Sequence, residues 1–265
     1  MAKRRSGSAD RVRQRERHAQ ILALLRRDGI VRVASLARAF AVTTETARRD
    51  LDELAESGAL QRTYGGGAIR SLTDEPGIGL RGLARTPERT RIAAAAAALV
   101  QSGDALMIDA GSTTSLFASA LAARNLNLTV VTNCLPVASA LAVSDRCRVV
   151  VCPGDYAAHE AGVFGAETVA FLGRFHANKA FIGAGGITAS GISDAVSAAC
   201  AVKRAMIEHS ERSLLLVDSF KFDVVQFEAV APLAAIDDVV TEARPPRRLA
   251  AALHQTGVEV TIAPE

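Results

Sequence analysis

VASLARAFAVTTETARRDLDELAESGALQRTYGGGAIR, residues Val33–Arg70, is the stretch whose reading decides the N-terminal part of this chain. It divides into a short helix, a tight turn, a second helix and a small glycine-tipped hairpin. Val33, Leu36, Ala37 and Phe40 give the first helix an apolar face. Thr43 stands where an N-cap belongs, just before the next periodic run. In that run Ala47, Leu51 and Leu54 recur at i, i+4 and i+7, so they share one face, which must point at a core. Glu45, Arg49, Asp52 and Glu56 fall opposite, with Thr46 and Arg48 on the flanks. Two adjacent arginines near the exposed start of a helix suit insertion into the major groove, where guanidinium forks meet guanine edges or phosphates. Thr43, Thr44, Glu45, Thr46, Arg48 and Arg49 are therefore candidate DNA contacts. The hairpin ALQRTYGGGAI suits a wing laid along the phosphate backbone, and its candidates are Arg62, Tyr64 and Gly66, with Arg70 beyond them. The competing reading is an αα-hairpin that only packs; the capped second helix, paired arginines and glycine wing together weigh against it.

Outward from this stretch, a first helix is expected from about Arg15 to Arg27. Ile21, Leu22, Leu24 and Leu25 supply its apolar face, His18 sits at its core edge, and Asp28-Gly29 stops it. Residues 1–14 read as a disordered basic arm of the kind that touches DNA phosphates. Residues 1–70 hold 15 Lys/Arg against 8 Asp/Glu, whereas residues 71–265 hold 16 against 20, so the polyanion contact belongs to the N-terminal part. The domain plan is thus an arm (1–14), a winged helix-turn-helix (15–70), a linker (71–86) carrying Pro76, Gly77, Gly79 and Gly82, and a second domain (87–265). No secretory signal or bilayer-spanning run is read: IAAAAAALV is too short. The four cysteines, Cys134, Cys147, Cys152 and Cys200, have neither zinc nor disulfide spacing, which fits buried thiols in a reducing cytoplasm. No metal or cofactor is expected.

The second domain alternates strands and helices. Strands are predicted at 105–109, 128–132, 148–152, 180–183, 213–218, 239–241 and 258–262. Helices are predicted from Thr86-Pro87-Glu88, with Thr86 as N-cap, to about Gln101, and at 113–122, 135–144, 166–175, 197–209 and 245–256. Continuous apolar strands between helices indicate an α/β fold with a mostly parallel sheet covered by helices. Ligands bind beyond the carboxyl ends of such strands, and three segments should meet there. Asp109-Ala110-Gly111-Ser112-Thr113-Thr114 turns from a strand into a helix N-terminus, a natural phosphate seat. Gly183-Ala184-Gly185-Gly186 ends another strand. Asp218-Ser219-Phe220-Lys221 ends a third, and Lys221 offers a cation to a phosphate.

Residues Arg17–Ala68 closely resemble the N-terminal winged helix-turn-helix of the DeoR family of bacterial transcriptional regulators, with the T-x-R-R-D-L core present as Thr46–Leu51. The resemblance continues through DAGSTT (Asp109–Thr114), VVTN (Val130–Asn133), FHANKAFIGAGGI (Phe175–Ile187), AVKRAMI (Ala201–Ile207) and DSFKF (Asp218–Phe222), and so covers roughly residues 15–263. It implies a sensor domain of ribose-5-phosphate isomerase-like fold, a phosphorylated sugar as effector, and a homo-oligomer, dimer or tetramer, on double-stranded operator DNA. It adds Asn133 and Lys203 to the candidate effector site of Asp109, Gly111, Ser112, Thr113, Thr114, Gly183, Gly185, Asp218 and Lys221. Three places depart from the family pattern. Ser197-Ala198-Ala199-Cys200 stands where acidic residues are usual. DSFKFD has Phe220 for a serine and Asp223 for a glycine. Pro153-Gly154 replaces a glycine pair.

The expectation is a cytoplasmic repressor of a carbohydrate or related metabolic operon, and not an enzyme. The rival is an isomerase-like enzyme with a DNA-binding appendage. It would need a positioned general base, which GAGG lacks and for which Asp194 lies several residues downstream. A third reading is a constitutive DNA-binder with a vestigial sensor.

Overall fold

A computed structural model describes residues 14, 16–25, 30–56, 59–68, 78 and 85–265. The basic arm up to residue 13, the Asp28-Gly29 helix stop, Arg70 and most of the expected linker lie outside them. The chain forms two compact units, Met1–Glu75 and Pro76–Glu265.

In the first unit helix α1 covers 16–25 and buries Ile21 and Leu25. Gln14, assigned by sequence to the arm, is already helical and donates to Glu53 at 2.7 Å. A short strand, β1 (Ile30–Arg32), runs straight into α2 (Val33–Ala39), and α3 spans Thr44–Glu56. The wing is β2 (Gln61–Thr63) and β3 (Gly66–Ala68), and β1 joins it to make an antiparallel sheet of order β1-β3-β2. Leu36, Ala37, Ala47, Leu51 and Leu54 are all buried, as their spacing requires. Gly66 is needed for close approach, because a Cβ there would collide with the Val31 carbonyl. Gly65, at φ +76°, has open space around it.

The second unit holds seven parallel strands in the order β15-β14-β12-β9-β4-β5-β6. They are β4 (Ala105–Ile108), β5 (Leu128–Thr132), β6 (Cys147–Val151), β9 (Ala177–Ile182), β12 (Ser210–Leu216), β14 (Asp238–Thr241) and β15 (Glu259–Ile262). The intervening helices are α4 (Thr86–Ala98), α5 (Ser112–Ala122), α6 (Leu135–Leu141), α7 (Ala166–Leu172), α8 (Ser197–Glu208) and α9 (Arg247–Gln255). Every strand and helix expected in this unit is present, with ends shifted by a few residues. The central strands are buried along most of their carboxyl halves, whereas the edge strands β6 and β15 are largely open, as expected for a sheet covered on both faces. Phe117 of α5 stacks on Phe181 of β9 at 4.2 Å between centroids in the middle of the core. The alanine run becomes the core helix α4, with Ile92, Ala93, Ala96 and Ala97 buried.

Three features of this unit differ from expectation. Arg85, at φ 54°, is the N-cap residue of α4, and Thr86 is its first helical residue. The hairpin β7 (Asp155–Ala157) with β8 (Gly162–Phe164) was not expected. Neither was the small antiparallel sheet β10 (Gly186–Thr188), β11 (Gly191–Asp194) and β13 (Glu228–Ala231). These strands have three or four residues each, too few for a period to show.

Chain order sets where a ligand can enter. From β4 the chain moves outward through β5 to β6, then returns to β9 on the other side of β4. The carboxyl ends of β4 and β9 are therefore the topological switch point, where parallel α/β sheets open a crevice. No described helix is long and apolar enough to cross a membrane.

The two wing glycines make a direct comparison. Gly65→Ala should cost about 1 kcal/mol, the left-handed penalty. Gly66→Ala should cost at least twice that, because backbone must move. Urea unfolding of the two variants measures this, and equal costs would contradict the close-approach explanation.

Candidate functional site

The recognition helix is held from behind by one buried acid. Asp50 lies on the core face of α3 and is 1 % exposed. Its carboxylate takes both arms of the Arg17 fork, Nε at 2.5 Å and Nη2 at 2.8 Å, and lies 3.1 Å from His18 Nε2. This bidentate pair fixes α1 against α3. Sequence reading missed it, although 47, 50, 51 and 54 form an i, i+3, i+4, i+7 stripe that puts Asp50 among the core positions.

At the start of α3, Thr43 Oγ1 accepts the Thr46 amide at 3.1 Å, so the expected cap is present. Thr43, Thr44, Glu45, Arg48 and Arg49 are exposed, and Thr46 is half-buried. Arg48 pairs with Glu45 at 3.5 Å and Arg49 with Glu53 at 3.4 Å, with 56 % and 80 % of the arginine side chains exposed. Such intrahelical pairs are worth a few tenths of a kcal/mol, so both guanidiniums can exchange them for DNA.

The wing candidates are in different situations. Tyr64 is fully exposed at the hairpin tip. Gly66 is buried against β1. Arg62 donates to Asp52 of α3 at 2.7 Å and to the Gly66 carbonyl, so it straps the wing to the recognition helix.

In the second unit, the switch point holds a buried trio. Asp109, just past β4 and fully buried, lies 2.9 Å from Lys203 Nζ of α8, and Asp194, ending β11, lies 3.2 Å from the same nitrogen. Burial alone would lower the Lys203 pKa, but the two carboxylates raise it above its ordinary value. Burial raises the Asp109 carboxyl against the pull of Lys203. Asp109 Oδ2 also accepts the Gly183 amide at 3.4 Å, while Oδ1 is buried without a hydrogen-bond partner among the described residues. Asp194, set aside by its distance in sequence, is thus part of the cluster.

A second cluster surrounds Ser112, at the N-terminus of α5. Gly111 provides no side-chain cap there. Arg89 of α4, 5 % exposed, donates from Nη1 to Ser112 Oγ at 3.0 Å and from Nε to Asp218 at 2.9 Å. Arg89 thus places a buried cation beside Ser112. Its place on the buried stripe with Ile92, Ala93 and Ala96 is the sequence signal that could have identified it. Lys221 is half-buried and ends the 3-10 turn Ser219–Lys221, which Asp218 caps by accepting the Phe220 amide at 3.2 Å.

Three of the other predicted residues, Thr114, Asn133 and Gly185, make scaffold contacts in this structure. Thr114 is buried and donates to the Gly111 carbonyl at 3.0 Å. Asn133 accepts the Ala110 amide and donates to the Val163 carbonyl, both at 3.1 Å, riveting the end of β4 to β8. A Cβ on Gly185 would meet Gln226 Cγ at 2.8 Å, so this glycine serves packing; Gly183 faces open space. Thr113 is half-buried on the first turn of α5.

The departures also acquire reasons. Asp223 takes φ 57°, the backbone a glycine would adopt freely. Gly154, at φ 134°, packs against Thr168 and Phe164, where a Cβ would clash. Phe220 carries the Arg85 guanidinium 3.6 Å from its ring centre. Burial raises all four thiols, Cys152 to about 12 and Cys200 to about 11, which favours their protonated form.

A winged helix-turn-helix followed by a parallel α/β unit with polar clusters at its switch point is the plan of a transcriptional regulator with a sensor domain. Residues 17–73 match the DeoR-like helix-turn-helix domain and residues 84–243 the DeoR C terminal sensor domain. The glycerol-3-phosphate regulon repressor of Escherichia coli K12 is 33 % identical over 236 residues, 89 % of this chain and 93 % of that protein. The HTH-type transcriptional repressor GlcR of Bacillus subtilis 168 is 30 % identical over 251 residues, 94 % of this chain and 96 % of that one. Ribose 5-phosphate isomerase A from Methanocaldococcus jannaschii is a distant structural likeness, at 18 % identity, 51 % of this chain, 53 % of that chain and a TM-score of 0.37. The chain belongs to the DeoR family of transcriptional regulators.

The Arg62 strap can be separated from a direct phosphate contact. If Arg62 acts by holding the wing, Asp52→Ala should weaken DNA binding as Arg62→Ala does, by about 0.5–1 kcal/mol each, with the double variant little worse than either. If Arg62 contacts phosphate directly, removing the Asp52 charge should strengthen binding. Gel-shift titrations at fixed salt distinguish the two.

Proposed function

We propose that this protein is a cytoplasmic repressor of a carbohydrate or related metabolic operon, released from its operator by a phosphorylated sugar or a similar small phosphate ester. The observation that carries the effector reading is the Ser112–Arg89–Asp218 cluster at an α-helix N-terminus: hydroxyl, backbone amides and a buried guanidinium converge there. Beside it, Asp109 Oδ1 is a buried acceptor in need of a donor, which a sugar hydroxyl would supply. A relative named for the glycerol-3-phosphate regulon supports the same class of ligand. A ligand that binds the free and operator-bound conformations unequally shifts operator affinity by that difference. In this reading Ser112, Thr113 and Lys221 hold the phosphate with Arg89, the trio of Asp109, Lys203 and Asp194 orients the sugar, and Arg48 and Arg49 read the operator.

Calorimetry of the full chain against glycerol 3-phosphate, ribose 5-phosphate, glucose 6-phosphate and their unphosphorylated counterparts tests this. At least one phosphate ester should bind and its parent alcohol should not. Ser112→Ala and Lys221→Ala should each weaken that binding about tenfold, one charge-assisted hydrogen bond. Binding of none of the three esters, or equal binding by both variants, would contradict the site. Turnover measured on the same samples tests the rival enzyme reading; isomerisation of ribose 5-phosphate would favour it.

One reading helix covers only a few base pairs, so operator specificity calls for a symmetric oligomer on repeated half-sites. Light scattering of the full chain at micromolar concentration should give a dimer or larger, and a monomer would contradict this.

A further inference from the structure

The turn beside the effector site and the first turn of α4 form one connected piece. Arg89 bridges Ser112 and Asp218, and Asp218 caps the turn Ser219–Lys221. Four residues before Arg89, the Arg85 guanidinium stacks on Phe220 of that same turn, 3.6 Å from its ring centre. Arg85 also donates to Glu88 at 3.2 Å and to Glu242 at 3.4 Å. Glu242 in turn accepts from Ser219, from its amide at 3.0 Å and its hydroxyl at 2.5 Å. Arg85 is thus tied to the turn through both the Phe220 ring and Glu242.

These ties hold Arg85 in an unfavourable state. Its backbone is left-handed at φ 54°, a conformation that costs a residue with a Cβ. Its Nε is buried with no hydrogen-bond partner among the described residues. A strained residue kept in place by its surroundings is suited to a two-state element, because loosening the surroundings releases it. The place to loosen them is the Arg89–Asp218 pair, with 6 % and 3 % of the side chains exposed. A phosphate arriving at Ser112 offers Arg89 a second anionic partner where Asp218 is the first. Arg85 also has the right position in the chain: it opens α4, and the residues before it lead back to the DNA-reading unit.

We propose that Arg85 and Arg89 are the relay between the effector site and the chain leading to the DNA-reading unit. An anion at Ser112 draws Arg89 from Asp218, the turn carrying Phe220 shifts against Glu242, and Arg85 leaves its left-handed conformation. Phe220, a departure from the family pattern, is then the face through which this chain couples the turn to Arg85. The trigger rests on the phosphate-site reading above; the mechanical link does not.

The test is made on the full chain with an operator duplex selected from random DNA, by fluorescence anisotropy at fixed salt and with no phosphate compound present. Arg85→Gln, Arg89→Gln and Phe220→Ser should each change operator affinity at least threefold, all in the same direction. The Arg85→Gln/Phe220→Ser double variant should change it no more than the larger single effect. Arg148→Gln, on the exposed edge strand β6, should change nothing. Folding is checked by circular dichroism; should Arg89→Gln fail to fold, Arg85→Gln and Phe220→Ser still decide. Unchanged operator affinity in those two overturns the relay. In a second arm, glycerol 3-phosphate, ribose 5-phosphate and glucose 6-phosphate are titrated by calorimetry. If none binds the wild type, the phosphate-site reading fails while the ligand-free arm still judges the relay. If one binds, Arg85→Gln should bind it within threefold yet lose at least fivefold of its effect on operator affinity; a full response in that variant overturns the relay.

Discussion

Lys203 lies in α8 with 4 % of its side chain exposed, between Asp109 at the end of β4 and Asp194 at the end of β11, and this contact constrains the whole C-terminal unit. An ammonium taken out of water is tolerated only when carboxylates replace the hydration it loses. The two that do so come from different layers: the parallel sheet supplies one and the small antiparallel sheet the other. The trio therefore fixes α8, β4 and β11 relative to one another at the switch point. Gly183 is drawn in through its amide. Everything proposed for the effector is arranged around this fixed corner. Ser112 follows three residues after Asp109, and a Cβ on Gly183 would stand in open space.

A similar economy operates in the N-terminal unit. Asp50, between the exposed Arg49 and the buried Leu51, turns inward to Arg17 and His18. Its neighbours Arg48 and Arg49 keep only weak pairs within their own helix. The internal charges hold the helix in place, while the external ones remain exchangeable. Arg62 belongs to the first group in this structure, and its strap to Asp52 gives the wing a defined position along α3.

Long periodic elements were legible in the sequence because their burial repeats. The stripe of Ala47, Leu51 and Leu54 marked α3, the continuous apolar strands marked the parallel sheet, and the family resemblance implied the two-domain plan. What stayed hidden depends on contacts between residues distant in the chain. Asp194 joins Asp109 and Lys203 only through the small sheet that β11 helps form, and strands of three or four residues leave no period to read. Arg85 and Arg89 passed unnoticed in an alanine-rich helix whose polar first turn resembles an ordinary solvated end. Asn133, Thr114 and Gly185 look like ligand contacts in a motif, yet their bonds and packing go to the local backbone and neighbouring side chains. A polar residue in a strand-end motif can serve the turn as well as the ligand, and only the geometry separates the two.

The central claim is that one face of α3, exposed through Arg48 and Arg49, reads a specific DNA sequence under the control of the C-terminal unit. The most direct measurement is the affinity of the full chain for an operator selected from random DNA, compared with its affinity for scrambled duplex, for the wild type and the Arg48→Ala/Arg49→Ala variant. The account predicts a loss of at least about 2 kcal/mol for the operator, with the preference over scrambled DNA largely erased. An unchanged preference in the double variant would contradict it.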